Sequence, residues 1–242
     1  MSPRKLVWVF ITLILATIAC YLCLPRPVVI EDPEHQYIHK ILLGTEFGRS
    51  QDRVCMRWKE APKLMVNDPS EKEAEIIRDV VAEVNSSLPE AFRIQMVSDK
   101  SEASMHLYFI DKSDFQSTLK THDISAKVPS PVNGYFHLNW KRRYELYRSV
   151  ILIATDLLED KELLHHVVLE ETTQSLGLAN DSDRFTDSVF YENLSTGNWG
   201  TAIRLSERDR KLIRLLYGHV EPGMSAAQLQ RVVEEHWEES PL

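Results

Sequence analysis

Three cysteines in 242 residues are too few for a disulfide framework, and two of them, Cys20 and Cys23, fall in one apolar run. Cys55 is the single thiol left over, so no internal bridge can staple the rest and the fold must rest on its core. It sits between Val54 and Met56, the setting of a small buried hydrophobe rather than a reactive thiol. Positive charge is also scarce, with 28 Lys and Arg against 36 Asp and Glu, a net charge of -8 and no basic block. That argues against nucleic acid as a partner, because phosphate binding needs a local cationic patch. Low-complexity tracts and internal repeats are lacking too. A chain that is 43% apolar and 26% charged is left, long enough for one substantial core.

What the chain does have is one long run without charge. Arg4 and Lys5 precede Leu6 to Leu24, 19 residues that end at Pro25-Arg26-Pro27. As a helix the run spans about 28 Å, close to the roughly 30 Å hydrocarbon core of a bilayer. Basic residues before it and a large domain after it predict a single-pass anchor through residues 6–24, with the C-terminal domain periplasmic or extracellular. Cleavage as a signal peptide, or cleavage with lipidation at Cys20 after Thr17-Ile18-Ala19, are the alternatives. The expected organisation is an anchor or signal segment at 1–27, a linker and lead-in helix at 28–57, and one domain at 58–242. In the lead-in, Ile38, Ile41, Leu42 and either Thr45 or Phe47 share a helical face.

Within the domain, Leu64 to Val66 reads as a short strand ended by Asn67-Asp68-Pro69. Ser70 and Glu73 form a capping box that opens a helix, with Ala74, Ile77, Val80, Val81, Val84 and Leu88 at the helical period. Phe92 to Val97, Ala103 to Ile110, Tyr135 to Trp140 and Ser149 to Ala154 are strand-like, the third polar on one face and placed near an edge. A short helix is expected near 114–121 and a long one from about Glu159 to Leu176. Ser206 and Asp209 cap a further helix that carries Leu212, Ile213 and Leu216. Ala226, Leu229, Val232, Val233 and Trp237 mark a last one, packed on its own domain. This order predicts an α+β fold, one mixed sheet with helices packed on it.

The long helix holds the anomaly. At about 100° per residue, Leu163, Leu164, Val167, Val168 and Leu178 fall in one apolar arc, and Glu171 lands near its middle. Glu170 and Gln174 lie together at its edge, and Thr172 and His165 point away. A carboxylate in a buried stripe must be neutralised, paired or set at the lip of a cleft, because burying an unpaired charge costs several kcal/mol. A cleft carboxylate is a functional-site candidate, and pairing with backbone or arginine is the structural alternative. Gly177 ends the helix in a left-handed turn, which lets Asn180 and Asp181 fold back beside Gln174. Asp181, Asp183, Asp187 and Glu192 echo calcium-loop spacing, but Phe185 and Thr186 replace a ligand and the required glycine, so a solvated loop is the better reading.

Leu169 to Asp181, LEETTQSLGLAND, has the cadence of the zinc-peptidase helix H-E-x-x-H-x-x-G-x-x-H without its histidines. From Glu162 to Gly218 the chain resembles the catalytic half of a metzincin or matrixin-type peptidase. DSVFY at 187–191 stands where those enzymes have a Met-turn, with Phe190 in the methionine's place, and RLSERDRKLIRLLYG at 204–218 resembles their closing helix. With Gly223-Met224, the pattern E-E-x-x-Q-x-L-G-L-x-N-D-S is more similar still to a family of bacterial exported proteins without an assigned activity.

The resemblance implies a zincin-like fold: a mixed sheet, a long active-site-type helix and C-terminal helices. It places Glu171 at the general-base position and Glu170, Gln174 and Asn180 at the ligand positions. Amide oxygens suit zinc poorly, so no metal and no cofactor is expected. His166 shares a face with Glu170, and adjacent His165 diverges from it; a rebuilt His166–Glu170 metal site is the minor alternative. The expectation is a membrane-anchored, non-catalytic domain with a polar pocket for a peptide or small molecule at Glu170, Glu171, Gln174, Asn180 and Asp181. The alternatives are a (metallo)hydrolase using Glu171 as acid or base, with a hard metal held by Glu170, Gln174 and Asp181, and an envelope interaction protein.

Overall fold

Asp32 starts the first helix, its carboxylate accepting hydrogen bonds from the free amides of Glu34 and His35, with Pro33 at the first helical position. This helix, α1 (Pro33–Leu42), buries Ile38, Ile41 and Leu42 of the lead-in face read from the sequence, and Tyr37 beside them. The computed structural model describes residues 30–44, 53–128 and 132–238. The run 6–24, with Cys20, lies outside the described residues, as do Thr45 and Phe47. Among the described residues no helix is long and apolar enough to cross a membrane.

The chain then enters the sheet through β1 (Arg57–Trp58) and β2 (Lys63–Asn67). The Ser70–Glu73 capping box opens α2 (Glu71–Asn85). Next come β3 (Gln95–Met96), β4 (Met105–Ile110), α3 (Phe115–Thr121), β5 (Gly134–Trp140) and β6 (Glu145–Ala154). The strand order is β1-β6-β4-β2-β3, parallel throughout, with β5 alone antiparallel along β6. The result is a mixed, mostly parallel sheet with helices on it. The strand expected over Phe92–Val97 shrinks to Gln95–Met96, because Glu90–Phe92 closes a 3-10 turn first. β6 starts four residues before the expected Ser149, because β1 and β5 pair with its first half.

The sheet separates two apolar layers, as the period of two requires. Met105, Leu107, Phe136, Leu138, Ile151 and Ile153 face the main core beneath α2 and the long helix α4 (Lys161–Gln174). Tyr135, Val150, Leu152 and Ala154 face a smaller cluster closed by Phe115 and Leu119 of α3 and by Ile124. α4 is wedged between α2 and strands β5 and β6, so its last turns are buried all round. Thr172, expected to point away, is therefore fully buried.

Gly177 follows α4 at φ +106°, and a Cβ there would overlap the Met56 carbonyl oxygen; only glycine fits the turn. A small hairpin, β7 (Glu192–Asn193) with β8 (Asn198–Trp199), precedes α5 (Glu207–Gly218) and α6 (Ala226–His236). α6 packs on α1, with Leu229, Val233 and Trp237 buried, as its apolar spacing predicts. Cys55 is buried and its thiol is pushed up to about 12 by burial alone, the inert state expected.

Candidate functional site

Asp160 caps α4 by accepting from the Leu163 amide, which fixes the helix phase before its functional turns. From that phase Leu163, His166, Val167, Glu170, Glu171 and Gln174 all line one cavity of about 290 Å³. Its other wall is the start of β5, with Asn133, Gly134 and Phe136, and the hairpin side adds Tyr191, Glu192 and Trp199.

Glu171 is 7% exposed and lies under β5. A Cβ on Gly134 would overlap its carboxylate, so glycine is what lets strand and side chain come together. Gln174 Nε2 donates to Asp181 Oδ1 at 2.7 Å, which brings Asp181 back beside the helix end as the Gly177 turn implies. His166 sits above Glu170, Nε2 to Oε2 3.7 Å, and its Nδ1 is 2.9 Å from the Ala202 carbonyl oxygen. Burial holds the His166 imidazole below its ordinary pKa, only partly offset by the Ala202 contact. Glu192 is displaced the other way, burial raising its carboxyl against the pull of Lys40.

Asn180 is the exception among the expected residues. It does not line the cavity; its Nδ2 donates to the Leu43 carbonyl at 3.3 Å and lies 3.5 Å from that of Ile41. The last carbonyls of α1 lack intrahelical donors, and Asn180 satisfies them. The three ligand positions implied by the peptidase resemblance therefore do not converge. Glu170 faces the cavity, the Gln174 amide is engaged by Asp181, and Asn180 belongs to α1. Among the described residues no group of three His, Cys, Asp or Glu is placed to hold a metal ion. A resident catalytic zinc does not fit this donor set.

The segment in the Met-turn position is structural. Phe190 is fully buried. Buried Asp209 accepts from Ser188 Oγ at 2.7 Å and from the amides of Val189 and Ser206 at 3.0 and 2.9 Å. The Tyr37 hydroxyl closes the network, 2.7 Å from Ser188 Oγ. Burial raises the Asp209 carboxyl, and these hydrogen bonds oppose it.

The sequence reading missed Glu192 as a cavity residue, along with Trp199 and the β5 wall. No local signal marks them, since 18 to 28 residues of chain separate them from the ends of α4.

A mixed α/β domain with a cavity between an edge strand and a buried helix is the class the structure defines. Its sequence matches, over residues 34–235, the family described as Protein of unknown function (DUF2927), and the chain belongs to that family. No curated protein matches it significantly. Among solved structures, two of myroilysin are similar, each at TM-score 0.44 and 9% identity. One comparison covers 69% of this chain and 97% of myroilysin, the other 81% and 100%.

Proposed function

We propose that this is a non-catalytic binding domain, held at the outer face of a membrane by residues 6–24, whose α4 cavity takes a peptide or small molecule. The carrying observation is the cavity itself. It gathers Glu170, Glu171, Gln174 and Asp181 on one wall, with apolar Leu163, Val167 and Phe136 beside them. Polar groups converging on an apolar pocket are the usual make-up of a ligand site.

Glu171 as an acid or base is the second reading, favoured by its burial in the cavity wall beneath Gly134. The metal content of the chain purified without chelators separates the two. The binding reading expects no stoichiometric metal in the wild type, Glu170→Ala or Gln174→Ala. About one ion per chain, lost in both variants, would overturn it and revive the hydrolase reading, to be followed by a search for substrates. Anchoring is tested separately by carbonate extraction of membranes, where release of the intact chain counts against it.

A further inference from the structure

The cavity's chemistry has a sign. Glu170, Glu171, Asp181 and Glu192 all line it, and among the described residues no lysine or arginine does. Asp181 accepts from Gln174 Nε2, and His166 lies 3.7 Å from Glu170. Lys112 and Lys40 act on Glu171 and Glu192 electrostatically, but neither lines the cavity. The His166 imidazole, held neutral by burial, adds no positive charge at neutral pH. The ionisable groups that line the cavity are therefore acidic apart from the neutral His166, and ionised carboxylates in such a cleft concentrate ions of opposite charge.

A second observation is independent of the carboxylates. Trp199 lines the same cavity yet is 54% exposed, and Leu194 in the same hairpin is 76% exposed. Packing within the domain does not use these surfaces. An indole face beside carboxylates attracts an organic cation through its ring quadrupole, and apolar walls cover that cation's stem.

We propose that the occupant is an organic cation with an apolar stem, a lysine or arginine side chain of a peptide, its charge among Glu170, Glu192 and Asp181 and its stem against Trp199 and Phe136. This rests on the binding-domain reading. It excludes acidic ligands, which meet like charge, and it commits to a cation larger than a metal ion, for which the donors do not converge.

The test is calorimetric titration of the full-length chain with four capped tripeptides, alike except for a central Lys, Arg, Leu or Glu. The Lys or Arg peptide binds, more weakly as salt rises, and the difference between them tells ammonium from guanidinium recognition. In Glu170→Gln/Glu192→Gln its affinity falls about tenfold or more, the scale of losing charge-assisted hydrogen bonds. In Trp199→Ala it falls several-fold. Both changes lie at the cavity rim, and thermal melting of each variant confirms that it folds. Equal binding of the Leu peptide, unchanged in the glutamine variant, overturns the cation assignment and leaves the binding domain standing. Silence from all four peptides at millimolar concentration overturns both.

Discussion

Gly134 and Glu171 are one feature seen from two sides. The strand approaches the buried carboxylate so closely that the wall has no room for a methyl group. Gly134→Ala is therefore expected to destabilise the domain by about 1–3 kcal/mol, the usual range for overpacking. In the double variant with Glu171→Ala much of that loss returns, because the obstructing carboxylate is gone. Chemical denaturation of the four forms measures the coupling, and additive losses would show that the two residues do not meet. Glu171 was legible in the sequence because a charged residue broke an apolar arc. Gly134 was not, because nothing local distinguishes a glycine that faces a side chain 37 residues away. Asn180 shows the opposite failure: its sequence position beside Asp181 suggested the cavity, and the unsatisfied end of α1 claimed it instead.

Among the elements, α5 depends most on a single side chain. Asp209 is its capping-box residue, and the same carboxylate also receives Ser188 and the Val189 amide, with Tyr37 of α1 alongside. The cap was readable from Ser206 and Asp209; the turn and the tyrosine it gathers were not. Asp209→Ala leaves buried amides and hydroxyls without an acceptor, each worth about 1–3 kcal/mol, so a loss of about 3 kcal/mol or more is expected. Ser70→Ala removes a cap that serves α2 alone and should cost about 1 kcal/mol. Urea midpoints of the two variants compare them directly, and equal losses would mean that Asp209 does no more than cap its helix.

For the whole molecule, the sheet's second face carries a pH dependence. His106 and His137 register against Val150 from β4 and β5, and the His122 ring lies against His106 at a tilt of 48°, centroids 5.0 Å apart. Burial, then His122, Lys100 and Arg148, push His106 down to about 4. His122 and His137 are lowered mainly by burial and by Arg148, with Asp123 partly opposing at His122. A histidine whose pKa is depressed on folding stabilises the native state fully above its unfolded value of 6.5. That contribution is lost progressively as pH falls from 6.5 towards about 4. Unfolding midpoints should fall across that window, and His106→Leu should flatten the fall. A decline of the same depth in His106→Leu would place its origin in other groups.

The sequence by itself determined the local elements, since a capping box, an apolar period and a positive-φ glycine act within a few residues of chain. It also singled out α4 and the carboxylate in its middle, because one charged group in an apolar arc is visible at the helical period. Tertiary structure alone decided what surrounds that carboxylate: the edge strand above it, the Glu192 and Trp199 side of the cavity, and the turning of Asn180 towards α1. Those depend on parallel pairings and helix packing between segments tens of residues apart, whose energies no local pattern encodes.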